Sequence, residues 1–193
     1  MNSATGRWRT LSFATVSHTS SVEPLFKRVE GHHIGDLAPI DLSLIAWAMA
    51  KVSQGEETFF RDVGNAVLAK PTAWDRCDTR NLATLAYAFA LSGHAAENQD
   101  AFRLVVDASQ RRMSEFVVQG VTNVIWACAT AACTDASVFE AAASEILSRG
   151  QRDFEALDIA NCLWAFATVS QGGPAAFTTT PAAANSSSSS SSS

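Results

Sequence analysis

Asn123 and Asn161 each stand three positions before a tryptophan. An amide side chain carries both donors and an acceptor, so it can read the edge of an unpaired base by paired hydrogen bonds. The same position before Trp47 and Tyr87 holds Leu44 and Thr84. Seven positions before the four aromatic residues lie Ile40, Arg80, Gln119 and Leu157. Positions that change in polarity while their neighbours stay alike are what a reader of successive bases requires. Arg80, Thr84, Gln119, Asn123 and Asn161 are therefore candidate base contacts. The alternative is that the asparagines bond the backbone of an adjacent segment and Arg80 is merely solvated.

A second set is cationic. Lys70, the pair Arg111 and Arg112, and Arg149 with Arg152 fall 23 to 26 positions after Trp47, Tyr87 and Trp126. Set in a row at one spacing, they would follow a phosphate backbone, and binding would then weaken steeply with salt and with Arg111→Glu plus Arg149→Glu. Cations near helix C-termini are also what the helix dipole favours. The formal charge of -5 excludes binding by bulk electrostatics. Residues 36–171 carry 10 Lys and Arg against 17 Asp and Glu, so any positive potential has to be local.

Other chemistry finds little footing. His32 and His33 are adjacent, and His18 and His94 stand apart, without Cys or carboxylate at a ligand spacing. Cys77, Cys128, Cys133 and Cys162 lie in apolar helical runs outside the close pairs of zinc or redox motifs, so they read as buried small residues in a reducing compartment. Gly172 and Gly173 precede Pro174 and open no helix, and no nucleophile elbow or phosphate loop is present. We therefore expect no enzyme, no cofactor, no metal and no small-molecule substrate. No apolar run approaches the length of a membrane span, so a membrane partner is not expected either.

The elements that must position these residues announce themselves by repetition. Four phrases align: Asp41-Leu-Ser-Leu-Ile-Ala-Trp47-Ala-Met-Ala50, Asn81-Leu-Ala-Thr-Leu-Ala-Tyr87-Ala-Phe-Ala90, Gly120-Val-Thr-Asn-Val-Ile-Trp126-Ala-Cys-Ala129 and Asp158-Ile-Ala-Asn-Cys-Leu-Trp164-Ala-Phe-Ala167. Their aromatic anchors are 40, 39 and 38 residues apart. Leu42, Ile45 and Met49, like Leu82, Leu85 and Phe89, recur at helical spacing, and Ala48, Ala88 and Ala165 admit a close neighbour. Each phrase is a helix, here helix A, with Asp41, Asp78 or Asn81, and Asp158 as its caps.

Glu56 to Leu68, Asp100 to Gln110 and Asp135 to Leu147 form a second amphipathic helix B, with Phe60, Phe102 and Phe139 near its start. Short polar joints fold each pair antiparallel. Leu37, Cys77, Phe116 and Phe154, ten positions before the anchors, plug the gaps between repeats. The expected fold is all-α, an α-solenoid of antiparallel helix pairs with a repeat of about 38 to 40 residues. Within it the Ala-flanked Trp47, Tyr87, Trp126 and Trp164 read as core, and Trp126→Glu is expected to unfold its neighbours.

Residues 22–171 form this domain. Pro24, Leu25, Phe26 and Val29 suit the B helix of an incomplete earlier repeat. Residues 1–21 contain Arg7 and Arg9, many hydroxyl residues and no acid, a composition shared by organelle transit segments and by disordered starts. Residues 172–193 are a Ser-rich tail with little to pack, expected to be disordered. The last A helix then lacks its B partner.

The phrases around Trp126 and Trp164 resemble the octotricopeptide repeat, whose motif runs Leu-Ala-Asn-Thr-Leu-Trp-Ala-Leu-Ala, and the related helical repeats of FAST-kinase-like and RAP-domain proteins. The likeness spans Leu37 to Ser170. The family's Pro-rich, Glu-Trp stretch is absent, with only Pro71-Thr-Ala-Trp74 similar to it. The resemblance implies single-stranded RNA binding in a mitochondrion or plastid, in transcript processing, stability or translation, with about one nucleotide per repeat. The alternative from the acidic composition is a protein-interaction scaffold, soluble in the cytoplasm, holding a protein partner on the same face or on the uncovered last helix.

Overall fold

A computed structural model describes residues 33–52, 57–133, 135–150 and 153–170. Among them every regular element is helical. In chain order the α-helices are α1 (Pro39–Lys51), α2 (Glu57–Ala69), α3 (Pro71–Arg76), α4 (Thr79–Ser92), α5 (Gln99–Arg111), α6 (Val118–Thr130), α7 (Ala136–Ser148) and α8 (Ala156–Ser170). Single tight turns, Ile34–Asp36 and Met113–Glu115, precede α1 and α6. The segment around Pro24 and both chain ends lie outside the described residues.

Local chemistry sets most boundaries. Pro39 and Pro71 begin α1 and α3, where a missing amide hydrogen is harmless. The Asp78 carboxylate accepts from the Arg80 amide at 2.8 Å and starts α4. Asp135 does the same for α7 through the Ser137 amide at 3.0 Å. Gly93, at φ 82°, ends α4 in a conformation that costs other residues a Cβ clash.

Two of the expected caps are placed differently. Asp41 lies in the first turn of α1, behind Ala38, which makes no side-chain cap bond. Asp158 sits inside α8 and accepts from the Glu155 amide at 3.1 Å.

The B segments appear as α2, α5 and α7, each within one residue of the expected bounds. Helix α3 is not among the helices that the sequence predicts. Its Trp74 is buried, so the stretch around Pro71 supplies core as well as a linker.

Helices α1, α4, α6 and α8 pack successively on one another, α2 packs on α5 and α5 on α7, and α5 and α7 cover α4 and α6. Leu42 and Ala46, Leu82 and Ala86, and Val121 and Ile125 are buried on one register of the A helices. Each fully buried Leu or Ile contributes roughly 1.5–3 kcal/mol. From the other row, Phe102 and Phe139 set their rings 6.5 and 6.0 Å from Phe89 and Phe166. Of the expected plugs, Phe116 is buried and Leu37, Cys77 and Phe154 are half-buried.

Polar bonds recur between successive A helices. Ser43 Oγ meets Asn81 Oδ1 at 3.5 Å, and Thr122 Oγ1 meets Asp158 Oδ1 at 3.3 Å. The intervening pair, α4 and α6, places Ala83 and Gly120 at those two positions instead. A Cβ on Gly120 would stand 2.8 Å from Phe116 Cδ1, so the glycine makes room for the plug.

Candidate functional site

On an α-helix, residues i, i+4 and i+7 form one stripe. Ile40, Leu44 and Trp47 make such a stripe on α1, Arg80, Thr84 and Tyr87 on α4, Gln119, Asn123 and Trp126 on α6, and Leu157, Asn161 and Trp164 on α8. All twelve side chains are exposed or half-buried. The A helices thus bury one register against each other and present another outward.

Between α1, α4 and α6 the stripes form a groove of about 760 Å³. Leu44, Trp47, Arg80, Thr84, Gln119 and Asn123 line it, with Asp78 and Glu115 also contributing. Four candidate base contacts therefore share one depression. Asn161 stands half-buried on α8, beyond the groove.

The side chains of Arg80, Thr84, Gln119, Asn123 and Asn161 make no hydrogen bond or ion pair within the described residues. The backbone bonds of the alternative reading are thus not formed by Asn123 or Asn161 among the described residues, whereas Arg80 is exposed as that alternative had it.

The second set is occupied. Lys70 Nζ donates to the Gly35 carbonyl at 2.6 Å. Arg111 pairs with Asp75. Arg112 donates to the carbonyls of Asp75 and Cys77 at 3.2 and 2.6 Å and to Glu115 at 2.6 Å. Arg149 donates to Glu145 and to the Phe116 carbonyl, both at 2.6 Å. These cations tie the end of one B helix to the linker or turn before it. The Arg112 hydrogen bond and charge hold the Glu115 carboxyl below its ordinary range. Arg152 lies outside the described residues.

The aromatic anchors are placed differently from the core positions expected of them. Trp47 and Trp164 remain 41% and 40% exposed, and Tyr87 and Trp126 are half-buried. The Tyr87 and Trp126 rings lie 4.9 Å apart at 34°, and Trp126 and Trp164 lie 6.1 Å apart at 34°. The result is a ladder of tilted rings running across α4, α6 and α8. Partial burial raises the Tyr87 phenol above its ordinary pKa.

The sequence held the signal for this. Residues three and seven positions before an anchor share its stripe, so a stripe exposed at Arg80 and Gln119 cannot bury Tyr87 and Trp126 completely.

The cysteines also depart from a uniformly buried set. Cys128 and Cys162 are buried, whereas Cys77 and Cys133 are partly exposed. The Cys133 amide donates to the Cys128 carbonyl at 2.9 Å, which sets the two residues side by side, a proximity hidden by their spacing in sequence. His94 stacks on Phe60 with centroids 5.0 Å apart. Among the described residues, no group of three or more His, Cys, Asp or Glu is arranged to hold a metal, and no helix is long and apolar enough to cross a membrane.

Compared with family models, with curated proteins and with solved structures, the chain matches none.

Proposed function

We propose that the protein is a non-enzymatic α-solenoid of antiparallel helix pairs, repeating every 38 to 40 residues, that binds single-stranded RNA along the outward stripe of its A helices. One observation carries this reading: Arg80, Thr84, Gln119 and Asn123 converge in one groove with their polar groups unpaired within the described residues. Unpaired amide and hydroxyl groups supply donors and acceptors for base edges, and the adjacent ring ladder supplies stacking faces for the bases themselves. The organellar setting, a mitochondrion or plastid, comes from the resemblance to octotricopeptide repeats.

The reading differs from a phosphate-tracking one in its salt response. Lys70, Arg111, Arg112 and Arg149 already have partners, which leaves Arg80 as the cation among the groove residues. Each phosphate neutralised on a single strand contributes a slope of about -0.7 in log affinity against log salt, so a shallow slope near that value is expected.

Binding of the full chain to a pool of random single-stranded RNA at low and physiological salt tests this. Retention with an enriched short motif, shallow salt dependence and at least a tenfold loss in Arg80→Ala with Asn123→Ala is the expected outcome. Absence of retention at low salt would refute it.

A second reading, a protein-interaction scaffold, is favoured by the exposed apolar residues of α8. Ile159 and Leu163 are 48% and 67% exposed at the register buried in α1, α4 and α6. Replacing Leu163 by Glu distinguishes the two. The scaffold loses a contact surface, whereas RNA binding in the α1–α4–α6 groove is unaffected.

A further inference from the structure

Helix α6 ends with Ala132 in the left-handed region, at φ 54°. Two nested backbone bonds close it: the Cys133 amide donates to the Cys128 carbonyl at 2.9 Å, and the Ala132 amide donates to the Ala129 carbonyl at 3.3 Å. This is the Schellman arrangement, in which the side chains at the two outer positions meet. Here both outer positions are cysteine.

The two thiols have unlike surroundings. Cys128 is buried in the core between α6 and its neighbours, and Cys133 is partly exposed in the joint leading to α7. The Cys128 thiol and the Asp135 backbone are the neighbours that favour the thiolate form of Cys133. Arg103 on α5 adds positive potential, opposed by the Asp135 carboxylate. That carboxylate is engaged by Ser137 Oγ at 2.6 Å and by the Ser137 amide.

The Cys128 thiol beside it, against the opposing effect of burial and with help from the Asp135 backbone and Arg103, brings the Cys133 thiol down to about 6, so it is largely thiolate at neutral pH. Cys128 is correspondingly held protonated. A disulfide needs α-carbons within about 7 Å, a limit that a direct backbone hydrogen bond between the two residues satisfies.

We propose that Cys128 and Cys133 form a redox-active dithiol that exchanges with small disulfides of the glutathione type, closing a reversible intramolecular disulfide across the end of α6. Cys133, the accessible partner, attacks one sulfur of the small disulfide. Its S–S bond breaks, one small thiolate leaves and takes up a proton, and a mixed disulfide remains on Cys133. The Cys128 sulfur then attacks the Cys133 sulfur, and its proton goes to the second departing thiolate. Two protein thiols are oxidised and one small disulfide is reduced to two thiols.

Cys77 and Cys162 serve as internal controls, because burial pushes each up to about 11. At pH 7 the difference in thiolate fraction, offset by the lower nucleophilicity of a low-pKa thiolate, gives Cys133 a roughly 50-fold faster reaction than either.

The test uses the full chain, reduced and then equilibrated in mixtures of glutathione disulfide and glutathione, acid-quenched, denatured, alkylated and digested with trypsin. Cys128 and Cys133 lie in one fragment between Arg112 and Arg149. That fragment is expected to become unreactive to alkylation and two hydrogens lighter, while Cys77 and Cys162 stay alkylated. Cys128→Ala should leave glutathione on Cys133, and Cys133→Ser should leave Cys128 reduced. Full alkylation of both in glutathione disulfide alone, a wild-type chain that stops at the mixed disulfide, or oxidation of Cys128 persisting in Cys133→Ser would overturn the proposal.

Discussion

Arg149 and Asn123 show how similar surface positions serve different ends. Arg149 has both a carboxylate and the Phe116 carbonyl as partners, and its side chain is only 17% exposed. Asn123 has no partner among the described residues and faces a groove. Arg149→Ala should therefore lower stability by about 1–3 kcal/mol, because it strands a carbonyl and a carboxylate. RNA affinity of the folded fraction should be unchanged, which denaturant melts and binding isotherms measured together would check. Arg111→Ala removes an exposed pair and should cost about 1 kcal/mol or less. Alkylation of Cys133 carries the pH signature of this scale. A thiol lowered to about 6 loses its proton as pH rises through that value, so iodoacetamide reactivity should climb from pH 5 to 7 and then level. A climb centred above pH 8 would contradict the assignment of Cys133 as the attacking thiol.

At the scale of elements, the outcome turns on which register of each A helix meets its neighbour. Ile125 of α6 and Leu163 of α8 occupy the same position in their phrases, yet Ile125 is fully buried and Leu163 is open. Ile125→Glu should unfold the surrounding helices, whereas Leu163→Glu should shift the melt by no more than about 0.5 kcal/mol. Gly120→Val should cost about 1–3 kcal/mol, since its Cβ would press on the buried Phe116. The A and B helices were legible in the sequence because Leu82, Leu85 and Phe89 recur at helical spacing and because Phe102 and Phe139 mark the B helices. Helix α3 was not legible, because six residues are too few to show a period. The candidate site was half legible. Arg80 and Asn123 were found by their variation, while Tyr87 and Trp126 were assigned to the core, since alanine neighbours signal close packing without saying on which side. The Cys128–Cys133 contact depends on a left-handed Ala132 that residue type does not foretell.

For the molecule as a whole, an acidic chain of charge -5 is an unusual host for RNA unless stacking and edge contacts replace counterion release as the source of affinity. On the proposed function, the groove side chains unpaired among the described residues and the ladder of Tyr87, Trp126 and Trp164 would supply such contacts, and the partnered cations leave little else. The most direct measurement is photocrosslinking of the full chain to single-stranded RNA containing 4-thiouridine, with the crosslinked peptides identified by mass spectrometry. Crosslinks should fall on the outward stripes of α4 and α6, at or beside Tyr87 and Trp126, and diminish in Asn123→Ala. Crosslinks confined to the ends of α5 and α7, or none at saturating RNA, would contradict RNA binding along the A-helix stripe.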